Sequence, residues 1–372
     1  ALRWLRDFHI DALRLDAIHE IRDDASRAAE PHRHLLAELS DAVGELSDEL
    51  GKPLSLIAES DLNDAGVITP TRTMQPFRTP SLGMTAQWTD DVHHALHARV
   101  TGESQGYYAD FAAPDALRRV YEGAFLHNGG WSSFRGSRWG APVPAGTDPR
   151  RFVIFDSNHD QVGNRATGDR PAASLTDDAV AAEAALILLS PFTPMLFMGE
   201  EWGTRRPFQF FTDHSEPDLA QAVTQGRRRE FASFGWGADE VPDPQARSTV
   251  EASTLDWNEP RRPAHARMLA WYRDLIALRR RLDLGRRGLW PGLRDVGDVI
   301  VLTVPARPGR REAELVVATS LTPADRPEAT ATGLDGLVPD AAALDVALSW
   351  RGASPNGSIL HPGETMALLR YA

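Results

Sequence analysis

Apolar residues along the chain recur at two spacings. Leu35, Leu39, Val43, Leu46 and Leu50 follow one another at steps of four, four, three and four, which lays them on one face of a helix. Gly51 and Pro53 predict its end, a glycine that admits the left-handed turn followed by a residue that cannot continue it. Leu2, Leu5 and Phe8 form a shorter stripe, so a helix is expected from the first residues onward. Thr176 is a suitable N-cap for DDAVAAEAALILLS, with Asp177 and Asp178 where the helix dipole favours anions. Residues 263–282 predict a long amphipathic helix.

The second spacing is that of strands. Runs at 10–16, 53–60, 84–88, 151–160 and 194–202 are short, apolar and bounded by polar or turn residues. PLSLIAES (53–60) is apolar on both alternating faces, as in a parallel sheet covered on both sides. Strands alternating with helices predict an α/β domain with five parallel strands. Long connections at about 60–83, 100–150 and 202–260 are of the kind that carry function or disorder. The texture changes near residue 290, after the Gly/Arg/Pro-rich stretch GRRGLWPGLRDVG. Short runs VIVLTV, ELVVATS, ALDVALSW and TMALLRYA follow, separated by Pro, Gly and Asn clusters. Two domains are therefore expected, residues 1–288 and a small all-β domain at 289–372.

The totals narrow the function. A net charge of −12 argues against nucleic acid as a partner, because a phosphate-binding surface needs excess cations. No apolar run is long enough for a membrane span, so no membrane partner is expected. The chain of 372 residues has no cysteine, which excludes disulfides, thiolate metal sites and cysteine nucleophiles and is consistent with a cytoplasmic setting.

One strand carries charge where oil is expected. In DALRLDAIH (11–19), Arg14 and Asp16 point to one side of a strand and Leu13, Leu15 and Ala17 to the other. Arg14 would hold Asp16 as a carboxylate, and a buried pair of this kind is expensive as mere structure. Glu59 ends the run SLIAES, where apolar neighbours would keep it protonated. Asp160 ends FDSNHD, beside His159. Three acids at the carboxyl ends of three parallel strands lie where β/α barrels put their chemistry. A carboxylate nucleophile beside a carboxylic acid is what retaining glycoside hydrolysis requires. Singly, each acid is more often a helix cap or a loop ion pair, and the ordered set is the stronger signal.

Taken in order, DALRLDAIH, LIAESD (56–61) and FDSNHDQVGN (155–164) resemble three signature regions of the α-amylase family of glycoside hydrolases. The resemblance implies an eight-stranded β/α barrel, of which this chain would supply strands four to eight, followed by a small antiparallel β-sandwich. It implies Asp16 as nucleophile, Glu59 as general acid/base and Asp160 as transition-state stabiliser. Arg14 would orient Asp16, and His159 would bond the hydroxyls of the sugar being cleaved. His19, Asp61, Trp88, Asp90, Asp91, Gln161 and Asn164 resemble sugar-binding positions. Within the family, QWTDDVHHALH (87–97), ESDLND (59–64) and FMGEEWG (197–203) resemble the branch that releases trehalose from maltooligosyl-trehalose. Branching enzymes and other α-glucanotransferases share some of these segments and remain the alternative, as does a non-catalytic glucan-binding fragment. The family's first signature region has no match here, so the N-terminal barrel strands are expected in cis on a longer polypeptide or on another chain. No cofactor or metal is implied.

Other features stay open. His93, His94 and His97 could bind a metal, although a solvated helix start is the plainer reading. Trp88 is either a platform for a glucose ring or a core residue. Trp131, Trp139, Trp202 and Trp236 could line a glucan path or lie buried under loops.

Overall fold

The computed structural model describes residues 1–23, 33–73, 79–232, 237, 240–352 and 357–371. Helix α1 (Leu2–Asp7) leads into strand β1 (Ala12–Leu15), followed by α2 (Leu35–Leu50), β2 (Ser55–Ala58), β3 (Ala86–Trp88) and α3 (Asp90–Thr101). Next come α4 (Ala116–Gly123), β4 (Phe152–Ile154), α5 (His159–Gly163), α6 (Asp177–Leu188), β5 (Thr193–Pro194) and α7 (Pro263–Arg281). The five strands form one parallel sheet in chain order, β1-β2-β3-β4-β5. Among the described residues it is open at both ends, since β1 pairs only with β2, and β5 only with β4.

The predicted elements are present, with shorter ends. In α2 the middle of the stripe is right, with Val43 and Leu46 buried, while Leu35 and Leu50 in the first and last turns are exposed. Gly51 closes the helix in the left-handed region at φ 59°. The run 151–160 leaves the sheet after Ile154, because Asn158 caps α5 and turns the chain. The strand expected over 194–202 is corrected more strongly. Only Thr193–Pro194 pairs, and Glu200–Trp202 forms a short 3-10 turn. Gly199 has φ 92°, and the Glu200 and Glu201 carboxylates accept the amides of Phe197 (2.9 Å) and Gly199 (2.8 Å), wrapping the chain back. The long connections also hold structure: α4, a two-stranded hairpin (Trp131–Ser132 with Ser137–Arg138), and helices Pro217–Ala232 and Arg247–Ser253.

The sheet has two distinct faces. Leu56, Ala58, Phe152 and Ile154 join the main core with Val43, Leu46, Leu96 and Leu186 from the helices. Each Val, Leu, Ile or Phe among them fully removed from water stabilises the fold by about 1.5–3 kcal/mol. The opposite face carries a smaller apolar set of Ile57, Ala86, Trp88, Val153, Phe155 and Met195. Arg14 pairs in register with Ile57 and so lies on this second face.

The C-terminal region is a five-stranded antiparallel sheet of β6 (Gly292–Val296), β7 (Val299–Val304), β8 (Glu314–Ser320), β9 (Asp345–Ser349) and β10 (Thr365–Arg370), in the order β9-β10-β8-β7-β6. In β7, β8 and β10 the residues alternate, as period two requires, while β9 carries a bulge between Val346 and Leu348. Ile300, Leu302, Leu315, Val317, Ala367 and Leu369 face the main core. Val299, Val301, Val316, Ala318, Met366 and Leu368 pack under Leu334, Leu344 and Leu360. The core face of this sheet and α7 both pack on α6, which buries most of that helix. Its N-terminus is pinned to the sheet through Asp178, which accepts from Trp350 Nε1 (2.7 Å) and Arg351.

Candidate active site

Strand register levels the key residues. Leu15 faces Ala58, so the next residues, Asp16 and Glu59, leave adjacent strand ends together. The junction is fastened by backbone bonds, Glu59 N to Leu15 O (2.9 Å) and Ile18 N to Glu59 O (3.1 Å). Ala17 adopts φ 44°, ψ 48°, and this left-handed turn aims its amide at Glu59 Oε2 at 2.6 Å. Left-handed alanine is unfavourable on its own; the two-strand framework holds it there.

Arg14 connects the acids. Its Nη1 donates to Asp16 Oδ1, and its Nη2 lies 4.0 Å from Asp160 Oδ2. The guanidinium sits 4.4 Å from the Trp88 ring centroid, a cation–π contact that fixes its plane. Trp88 is only 9% exposed and meets Phe155 and His159 edge-on. Its face therefore carries Arg14, which corrects the reading of Trp88 as a stacking platform for glucose. Asp160 lies in the first turn of α5, with His159 Nε2 3.4 Å from its carboxylate. Asp16 and His159 are exposed, and Glu59 and Asp160 are partly so.

The remaining candidates divide by what holds them. His19 Nδ1 accepts the amide of Asp61 at 3.3 Å, which joins the two loops. Asp61 is gripped by Arg135 Nη2, with Nε at 3.3 Å from the second oxygen, and Trp139 Nε1 donates to its carbonyl at 2.6 Å. Asp90 stays partly open at the start of α3. Desolvation of its carboxyl, and then the charges of Glu59, Asp91, Asp160 and Asp61, raise its pKa to about 8.

Asp91 is corrected from an open sugar-binding position to a buried clasp. Its Oδ2 accepts from Asn63 (3.0 Å), Leu126 N (2.7 Å) and His127 N (3.4 Å). Burial raises its pKa to about 6 against the pull of these donors. Gln161 completes a capping box, its Oε1 accepting from Asn158 N at 3.1 Å while Asn158 accepts from Asp160 and Gln161 amides. Asn164 is exposed at the end of the same helix.

The histidines of α3 are not solvated. His93, His94 and His97 are buried among Tyr107, Tyr108, Phe111 and Phe155, and desolvation lowers the pKa of all three. Among the described residues no group of three or more His, Asp or Glu side chains is arranged to hold a metal ion. Of the tryptophans, Trp131 is exposed, Trp139 half-buried and Trp202 buried, while Trp236 lies outside the described residues.

Sequence reasoning missed Arg135 and Asn63. It also missed a buried trio of acids, Asp156, Glu183 and Glu200, close to Tyr121 and Tyr272. One signal was available: Glu183 is the lone charge within the apolar run AVAAEAALILL.

The geometry defines a parallel-sheet domain with three acids grouped at its strand ends, the arrangement of an α-amylase-type glycoside hydrolase. No family model matches the chain. Individual proteins do. The malto-oligosyltrehalose trehalohydrolase of Arthrobacter ramosus is 55% identical over 284 residues, 76% of this chain and 47% of that protein. The enzyme of the same name from Mycobacterium tuberculosis is 50% identical over 280 residues, 75% of this chain and 46% of that protein. A crystal structure from Salmonella typhimurium, provisionally named an alpha amylase, superposes with a TM-score of 0.81 at 34% identity, covering 99% of this chain and 59% of that one. The chain is thus a relative of the malto-oligosyltrehalose trehalohydrolases within the α-amylase family. It spans about half the length of the curated relatives it matches. No helix among the described residues is long and apolar enough to cross a membrane.

Proposed function

We propose that this chain carries the catalytic acids of a retaining hydrolase that cleaves the α-1,4 bond next to the terminal trehalose of maltooligosyl-trehalose. The observation that carries the reading is the Arg14-centred grouping of Asp16 and Asp160, with Glu59 fastened to the residue after Asp16. Glu59 protonates the glycosidic oxygen while Asp16 attacks the anomeric carbon, and trehalose departs. Glu59 then takes a proton from water, which hydrolyses the glycosyl ester on Asp16. Asp160 and His159 hold hydroxyls of the reacting ring and stabilise its developing positive charge. His19, Asp61 and Asp90 contact the bound sugars, and Arg135 keeps Asp61 in place.

The remaining barrel strands come from the same polypeptide or from a second chain. The unpaired edges of β1 and β5 support this, as do the exposed Trp4, Phe8 and Ile10 beside β1 and Leu196 and Met198 after β5. The setting proposed is the cytoplasm, as suggested by a chain without cysteine.

The test is incubation of protein carrying the full barrel with maltooligosyl-trehalose. Free trehalose is the expected product. New α-1,6 branches would move the assignment to a glucanotransferase, and tight binding without turnover would leave only a glucan-binding role.

A further inference from the structure

The motif WTDDVHH contains a histidine that the proposed chemistry does not use. His93 stands on α3, is 1% exposed, and points its Nδ1 at the carbonyl oxygen of Asp156. A carbonyl can only accept, so Nδ1 carries the proton. Burial, reinforced by His97, lowers the pKa of the ring to about 3 and keeps it neutral, which leaves Nε2 as an acceptor. Tyr108 Oη lies 3.3 Å from Nε2 and completes the chain as donor. Tyr108 O–H to His93, and His93 N–H to Asp156 O, is thus a one-directional relay with its tautomer set at both ends.

The receiving carbonyl sits at the root of the turn that presents Asp160. Among the described residues no backbone amide donates to Asp156 O. Two residues later, Asn158 caps α5 and receives the amide of Asp160 at 2.8 Å. The turn is therefore clamped at Asn158 from within and at Asp156 from α3.

We propose that His93, held as its Nδ1–H tautomer by Tyr108, is a positioning residue that sets the turn carrying Asp160 and thereby the stabilisation of the reacting sugar. The proposal rests on the reading of Asp160 given above. Its energetic logic is that a buried carbonyl left without a donor lets the turn shift, and small misplacements of a group that acts on the transition state lower turnover more than binding.

The test uses protein carrying the full barrel and trehalose release from maltooligosyl-trehalose. His93→Leu keeps bulk and removes the donor; kcat is expected to fall about 10–100-fold with KM changed less than about 3-fold. His93→Asn restores an N–H where Nδ1 stood, and kcat is expected within about 5-fold of the parent. Tyr108→Phe is expected to lower kcat about 2–5-fold in the parent and not at all in the His93→Asn background, where no Nε2 exists. Equal kcat for His93→Leu and His93→Asn, or an unchanged kcat for His93→Leu, would overturn the proposal. Should His93→Leu not fold, a Tyr108→Phe effect of equal size in both backgrounds would do the same. A parent that releases no trehalose would instead overturn the functional reading.

Discussion

Asp160 and Asp156 are four residues apart in one turn, yet they belong to opposite electrostatic worlds. Asp160 is half-exposed, faces Arg14 and His159, and keeps company with Asp16 and Glu59 at the open ends of the strands. Asp156 is buried beneath the turn, where desolvation raises its pKa from 3.8 to about 7. Glu183 and Glu200 nearby are raised well above the ordinary range for the same reason, and among the described residues neither oxygen of Glu183 has a hydrogen-bond partner. The same chemical group thus stands in solvent beside a cation in one layer and is desolvated in the next. What separates them is solvent exposure beside Arg14 above and burial below.

The sharpest way to break this contrast is at the upper layer. Asp16→Asn removes a carboxylate already in solvent, so turnover in protein carrying the full barrel should fall by several orders of magnitude with the melting curve unchanged. Retained turnover would strip Asp16 of its role.

The lower layer should respond to pH instead. Folding favours protonated Asp156, so its contribution is complete below its ordinary pKa and is lost as pH rises from about 4 through about 7. Glu183 and Glu200 titrate with it, so the loss belongs to the cluster rather than to Asp156 alone. Asp156→Asn should flatten denaturation midpoints across that window, and an unchanged slope would refute the burial argument.

A smaller effect is expected from Glu183→Met. Replacing an unpartnered buried acid with an apolar chain of similar volume should stabilise the protein at neutral pH by about 1–4 kcal/mol. Since the folded pKa of Glu183 is raised, the gain should grow as pH increases. Destabilisation measured by urea titration would show a hidden partner for that carboxylate.

Arg135→Met should be the mildest. It frees Asp61 without touching the three acids, so KM should rise about 10-fold while kcat stays within a few-fold. A fall confined to kcat would place Arg135 in the chemistry rather than in binding.

The upper layer was legible in the sequence because it obeys local rules. Period two puts Arg14 and Asp16 on one side of β1 whatever the rest of the chain does, and the acids mark strand ends by themselves. The buried layer was not legible, because burial is decided by what packs on top. His93, His94 and His97 look like a polar helix start until Tyr107, Tyr108 and Phe111 close over them. Trp88 reads equally as core or platform until Arg14 occupies its face. Arg135 reaches Asp61 from 74 residues away, on a hairpin inside a connection that shows no periodicity. Residues 194–202 misled for a local reason: the apolar run is strand-like, but Gly199 and its two following acids bend it.

The most direct measurement is to trap the intermediate. Protein carrying the full barrel is treated with a fluorosugar that forms the glycosyl ester quickly and hydrolyses it slowly, then digested and read by mass spectrometry. One added sugar on the peptide containing Asp16, absent from the Asp16→Asn variant, is the expected result. A sugar attached to another residue, or no ester in an enzyme that still releases trehalose, would contradict the assignment of the strand-end acids.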